Sequence, residues 1–494
     1  MSAGTTITAG GPPPAGDGRD HPPTPDHSSF ASGARILSIG IASTGIFTFA
    51  YLATASHVLS PAAYSRISLC WAVMFVILSV IYRPIEQLLS RTIADRRARG
   101  LKRQSLRVPA TIQLGFAVIF FIVALILRPQ IQQGMFDGSA ALYWILVIGV
   151  LAYAASYFAR GWLAGHQRFA LYGGLVFLES TSRYVPALLV AIGIGSGQAL
   201  VGLGMAIAPF VSLSVIPFAF ARLHRGAGAG IEDRPAADHP DDDTLLSPAP
   251  DAGGEGPAQV QLEEATAELS MRHGAHFAGS VVGIMLSEQA LMNAGVLIVA
   301  AKTGAGGLTT GLTGFVFDVM LIVRAPLQLF QAIQTSILPH LAGLEARESP
   351  EEFRRAIRTT IRVIAAFGLA VALGLLLIGP SVMTAVLGNK GYAYGRYGLA
   401  LVGLGMGLHL ISGTLNQAAL ARGRAPQAAA AWLLSAVLFV AFVVAPAIHS
   451  EVTRVEVGYF GATAILAGLL WLLYRRGPAS PRAAPTPAAD AIRA

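Results

Sequence analysis

The chain has 494 residues, of which 54% are hydrophobic and only 13% charged, and a mean hydropathy of +0.58; this balance excludes an ordinary soluble domain. The net charge of +8 comes from arginines set beside apolar runs rather than in a basic or aromatic recognition module, so nucleic acid is not an expected partner. The single cysteine, Cys70, rules out an intrachain disulfide, and the scattered His, Asp and Glu lack metal-ligand spacing, so neither a metal nor an organic cofactor is expected.

In chain order, residues 1–32 are rich in Gly, Pro, Ser, Thr and Asp without a helical apolar period. They read as a flexible cytoplasmic arm rather than a secretory signal, because the first apolar run starts late and is too long. Twelve apolar runs follow, near 35–57, 62–83, 109–128, 140–160, 170–193, 197–220, 276–300, 306–330, 357–379, 393–419, 427–447 and 456–474. Each approaches the roughly 20 residues that a helix needs to cross about 30 Å of hydrocarbon. The expected fold is therefore an all-α polytopic membrane protein with two six-helix lobes, 33–221 and 274–475. The acidic, Gly- and Pro-containing segment 222–273 separates them as a disordered cytoplasmic linker, in which Glu263, Glu264 and Glu268 could begin a short surface helix. Residues 476–494 form an Ala/Pro-rich tail.

Arginine placement orients the spans. The connection after the second span carries Arg83, Arg91, Arg96, Arg97, Arg99, Lys102, Arg103 and Arg107, and each later even-numbered connection is also basic. The opposite connections hold only isolated charges such as Lys302, Lys390 and Arg454. Both termini are thereby expected in the cytoplasm.

Several polar residues lie inside these spans. Pro84, in Arg83-Pro84-Ile85-Glu86-Gln87, marks a hinge at the end of the second span. Glu179 and Arg183, four residues apart in the fifth, can pair on one helix face, either locking helices or lining a hydrated passage. In the seventh span Gln289 and Asn293 share a face, and Glu288, offset by about 100°, is a candidate for H+ or Na+ coupling or for a helix-packing hydrogen bond. The eighth contains Asp318, a second carboxylate for ion coupling alongside Glu179, followed by Arg324, Gln328 and Gln331 as a polar stripe, with Pro326 as a second hinge. Arg324 offers a donor fork for an anionic substrate, or an internal partner for Asp318. In the tenth, His409, Ser412 and Asn416 lie on one face as candidate substrate contacts, and Arg396 lies nearer the outer end as an electrostatic lip.

The two halves carry related punctuation. Arg83-Pro84-Ile85 in the second span corresponds to Ala325-Pro326-Leu327 in the eighth, and the end of the fourth span, Trp162 to Arg168, corresponds faintly to Leu420-Ala421-Arg422-Gly423-Arg424 in the tenth. Six is even, so the halves enter the membrane in the same orientation as parallel repeats. Two such lobes around a cleft predict a transporter that opens alternately to either side, and no G-x-x-x-x-G-K-[ST] loop is present to couple it to ATP. A membrane glycan polymerase or ligase is the enzyme alternative, for which the short outer loops offer little site.

This layout, with the corner Arg160-Gly161-Trp162-Leu163-Ala164-Gly165-His166-Gln167-Arg168-Phe169, resembles the polysaccharide-transporter branch of the multidrug/oligosaccharidyl-lipid/polysaccharide exporter superfamily. The resemblance implies a flippase of the bacterial inner membrane, moving a polyprenyl-pyrophosphate-linked oligosaccharide from the cytoplasmic to the outer leaflet. Membrane lipids and polysaccharide polymerase machinery would be its partners. The related drug-exporter branch often uses acidic coupling residues, and Glu288 keeps a cation-coupled multidrug exporter as the alternative.

Overall fold

A computed structural model describes residues 27–98, 106–217, 257–324, 326–327, 350–388 and 391–476. Long helices dominate, as they must where lipid offers the backbone no hydrogen-bond partner. In chain order they are α1 (His27–Val58), α2 (Pro61–Ile77), α3 (Arg83–Ala98), α4 (Arg107–Ile126), α5 (Ala140–Gly165), α6 (Phe169–Ala191) and α7 (Gln198–Leu213) in the first lobe. The second lobe has α8 (Pro257–Thr309), α9 (312–324 and 326–327), α10 (Pro350–Leu387), α11 (Arg396–Ala421), α12 (Ala425–Val444) and α13 (Glu451–Arg475). A π-helical turn, Leu78–Tyr82, joins α2 to α3 as one span, so the molecule has two pseudo-symmetric six-helix bundles.

Contacts concentrate within each lobe: α1 with α6, α6 with α7 and α5 with α3 and α7 in the first, and α11 with α10 and α13 and α8 with α12 in the second. Across the lobes, α2 packs on α8. The loops gather at two ends. One carries the α1–α2, α4–α5, α6–α7, α8–α9, α10–α11 and α12–α13 connections. Here Arg66 bridges Asp137 (2.9 Å) and Gln198 (2.8 Å), and Lys302 Nζ donates to the carbonyls of Val443 and Val444 at the end of α12. The other end carries the arginine-rich connections.

Small residues set the closest helix approaches. A Cβ on Gly368 of α10 would lie 2.8 Å from the Gly407 Cα of α11, and one on Gly161 of α5 would lie 2.8 Å from the Glu86 carbonyl oxygen of α3. The second contact draws α3 against α5 beside the central cavity. Lipid-facing surface is greatest on α4 and α10, where Ile119, Ile126, Leu369 and Leu377 point outward.

Helix reaches into two segments that composition marks as unstructured. α1 begins at His27, within the segment read as a flexible arm, and α8 begins at Pro257, within the segment read as a disordered linker. Composition hides both starts, since the apolar period appears only further along each helix. Arm residues 1–26, lobe residues 218–221, linker residues 222–256 and tail residues 477–494 lie outside the described residues, as do Gln328, Gln331 and Lys390.

Candidate functional site

A cavity of about 340 Å³ lies between the lobes, walled by α1, α2, the π turn, α3, α5 and α6 on one side and by Gln289, Met292, Arg324 and Leu327 on the other. The π turn sits where Pro84 is expected to interrupt the ladder. Lacking an N–H, Pro84 cannot bond back one turn, and a widened turn accommodates the loss. Leu78, Ser79, Arg83, Glu86 and Gln87 around it all line the cavity, and Gln87 is exposed, so the cavity reaches the arginine-rich end there.

The floor is an ion-pair cluster. Glu179 of α6 accepts from Arg183 Nη2 one turn on (3.0 Å), from Ser156 Oγ (3.1 Å) and from Arg160 Nη2, the last two on α5. Arg183, 2% exposed, also donates to the Tyr153 hydroxyl (2.6 Å) and lies 5.0 Å over the Trp71 ring. Each charge has an opposite partner and further hydrogen bonds, which is what makes burial of ions in a low-dielectric region tolerable. Nearer the open end, Glu86 Oε1 accepts from the Tyr172 hydroxyl (2.6 Å).

The facing wall is a polar relay. Asn293 Nδ2 donates to Gln289 Oε1 (3.0 Å) on the previous turn of α8, and Asn293 Oδ1 accepts from Arg324 Nη2 of α9 (2.7 Å). The Arg324 guanidinium rests 4.7 Å over the Phe317 ring. Gln289 and Asn293, one face in the sequence, thus aim Arg324 at the cavity. Glu288 points away from that wall, half-buried and within electrostatic reach of Arg83 and Tyr459.

Asp318 lies elsewhere. Wholly buried on α9, it accepts from the Tyr64 hydroxyl (2.5 Å) at the start of α2 and from the Tyr394 hydroxyl (3.3 Å) just before α11. Tyr64 belongs to the opposite lobe. Beside this contact the Gly314 amide donates to Ser65 Oγ (3.0 Å), and Phe315 stacks on Tyr394 at 4.5 Å. A Cβ at Gly314 would lie 2.8 Å from the Tyr64 ring, so only glycine lets the lobes meet this closely. Together these contacts shut the end of the cleft opposite the arginine-rich loops.

The second lobe holds a separate buried set. His409 Nδ1 is 3.0 Å from the Tyr459 hydroxyl, with Trp432 edge-on at 5.4 Å, and Ser412 donates to the Leu408 carbonyl of its own helix. Asn416 is buried on the same helix. These three side chains lie away from the central cavity's walls, and Arg396 is exposed at the first residue of α11. Pro326 is half-buried beside Leu327 of the cavity wall.

No protein-family model and no curated protein matches the chain. Solved structures do. The chain is similar to the inward-facing conformation of a multidrug resistance MATE family transporter of the MOP superfamily, with a TM-score of 0.62 at 15% identity over 89% of this chain and 97% of that one. It is also similar to the Vibrio cholerae MATE transporter VcmN in its bent form (0.54, 15%, 91% and 97%) and to the eukaryotic MATE transporter AtDTX14 (0.56, 11%, 91% and 96%). The fold is that of the MATE transporters.

This is a membrane-transporter fold rather than an enzyme's, and it corrects the sequence-based resemblance. The likeness runs to multidrug transporters, not to the polysaccharide branch, so the flippase reading falls, with its polyprenyl-pyrophosphate-linked oligosaccharide cargo and its polymerase partner. The resemblance rested on the six-plus-six layout, the proline-bearing segments and the corner 160–169, none of which touches on cargo.

The sequence reading singled out Glu179, Arg183, Gln289 and Arg324, which line the cavity, but gave no site role to Arg83, Glu86, Tyr153 or Arg160. Arg83 and Arg160 carried a topological signal, being loop-flanking arginines, and that signal masked their position at the cavity. Nothing local to residue 160 reveals a partner nineteen positions away on another helix.

Proposed function

We infer that this protein is an alternating-access transporter of small amphiphilic organic molecules, driven by a cation gradient. One observation carries the reading: a polar cavity between the lobes reaches one end of the molecule and is shut at the other by contacts that cross the lobe interface. A rocking of the lobes that breaks the Tyr64–Asp318 and Gly314–Ser65 contacts exposes the cavity to the second side. By the excess of arginine at the open end, that end faces the cytoplasm, both termini lie there, and the closed end faces outward in a cytoplasmic membrane. The multidrug transporters that share this fold support the choice of small organic cargo.

Of the three candidate coupling carboxylates, Asp318 best fits an H+-linked step. Glu179 is committed to two arginines, and Glu288 lies off the cavity wall. Asp318 accepts hydrogen bonds from both lobes, and taking up a proton removes acceptor capacity where the lobes meet. The test is reconstitution of the full chain in liposomes with imposed H+ or Na+ gradients and fluorescent organic ions as cargo. Gradient-dependent uptake that Asp318→Asn uncouples, while Glu288→Gln leaves it intact, supports the reading. Uptake independent of any cation gradient overturns the coupling, and no movement of any organic ion overturns the transport reading.

A further inference from the structure

The charge balance of the central cavity bears on its cargo. Four arginines line it, Arg83, Arg160, Arg183 and Arg324, against two glutamates, Glu86 and Glu179. Including Glu288, within reach of Arg83, still leaves the wall positive. Glu179 spends its oxygens on Arg160, Arg183 and Ser156, while among the described residues Arg324 donates to neutral acceptors, Asn293 and the Met292 carbonyl. The guanidinium groups remain under-satisfied: Arg160 Nε, Arg183 Nε, Arg183 Nη1 and Arg324 Nε are buried without an acceptor. Buried donors left unpaired are costly, and more so when charged. Around these groups the wall is apolar and aromatic, with Phe75, Leu78, Tyr157, Val176, Met292 and Leu327.

We propose that the cavity selects small amphiphilic organic anions, compounds with one carboxylate or sulfonate on an aromatic or aliphatic body, and disfavours organic cations. This rests on the transport reading for its purpose but not for its test. The anionic group sits between Arg324 from one lobe and the Arg160–Arg183 pair from the other, and an oxyanion with two or three acceptor oxygens can meet guanidinium donors on both sides. An organic cation entering the same wall meets uncompensated like charge in a region of low dielectric. A volume of about 340 Å³ falls at the small end of drug-sized sites, so a single- or double-ring body fits. Because the anion touches both lobes, its binding also ties to the cycle: it spans the interface that must rearrange.

The experiment compares 2-naphthalenesulfonate with its cationic counterpart, naphthylmethyl-trimethylammonium, on the purified full chain in nanodiscs, read by tryptophan fluorescence and by isothermal titration. The expected result is at least a tenfold tighter Kd for the sulfonate, a loss of at least tenfold in sulfonate affinity in Arg324→Gln, and partial retention in Arg324→Lys. Arg324 is chosen because it lies outside the Glu179 ion-pair cluster; a second variant, Gln289→Ala, loosens the relay behind it without changing charge and should weaken sulfonate binding by a smaller factor. Equal or tighter binding of the ammonium ion, or a preference unmoved by Arg324→Gln in folded protein, overturns the proposal. Ammonium uptake into liposomes with no sulfonate binding leaves the transport reading standing and this inference refuted; selective sulfonate binding without any gradient-driven uptake does the reverse.

Discussion

Glu179 is the residue on which the cavity's shape most depends. It neutralises Arg160 and Arg183 together, so removing it strands two guanidinium groups in the membrane interior. Glu179→Ala is expected to destabilise the protein by about 3–5 kcal/mol, seen as a lower detergent-solubilised melting temperature, whereas Glu179→Gln, which keeps one acceptor oxygen but loses the other and the charge, should lie between. If Glu179→Ala melts with the parent, the cluster is solvated and not structural. At the closed end Tyr64 donates to a carboxylate, a bond worth about 1.5–3 kcal/mol. Tyr64→Phe should therefore move the balance between the two access states by roughly tenfold or more toward the outward-open one, measured as the rate at which a cysteine at Ser79, in a Cys70→Ala background, is labelled from the end opposite the arginine-rich loops. An unchanged rate would mean that the Tyr64–Asp318 contact does not hold that end shut. Sequence made part of this visible. An Arg four residues from a Glu in one apolar run announces a pair, but Tyr64 lies 254 positions from Asp318, and no local pattern joins them.

At the scale of the helix, span positions were well marked because lipid imposes a long apolar run on every crossing. Termini were not, and α8 shows why: its first turns carry Glu263, Glu264 and Glu268, charged residues that suit a helix outside the bilayer as well as they suit a loop. The π turn at Leu78–Tyr82 was announced by Pro84, since proline must interrupt the ladder one turn back. Pro84→Ala restores that donor and should let α2 and α3 run as a regular helix, slowing transport without changing the affinity for cargo; faster cycling in that variant would contradict a hinge at this site. Close packing gives a further check. Gly407→Val places a side chain against the Gly368 backbone of α10, and overpacking of this kind costs about 1–3 kcal/mol, read from thermal unfolding in detergent. Gly461→Val, on a neighbouring helix where a Cβ meets nothing, should leave stability unchanged.

At the scale of the whole molecule, two like-oriented bundles and a cavity between them are the features that sequence and structure share. Six is even, which makes the lobes parallel, and the arginine-rich connections mark the same end of each. What the sequence could not supply was which side chains face inward. Charges that flank a span serve topology and cavity alike, and only the packing of α5 on α3 and α6 brings Arg160 to Glu179. Nor does a six-plus-six layout name a cargo; the charge of the cavity wall is the more discriminating property, and it belongs to this chain's own residues.

Alternating access requires a cavity open to one side at a time. Ser79, in the cavity wall, replaced by cysteine in a Cys70→Ala background and probed with a membrane-impermeant thiol reagent in oriented vesicles, reports that side directly. Labelling is expected from the arginine-rich face alone in the otherwise unaltered chain, and from the opposite face as well once Tyr64→Phe is added. Equal labelling from both faces without that second change, or none from either, would contradict it.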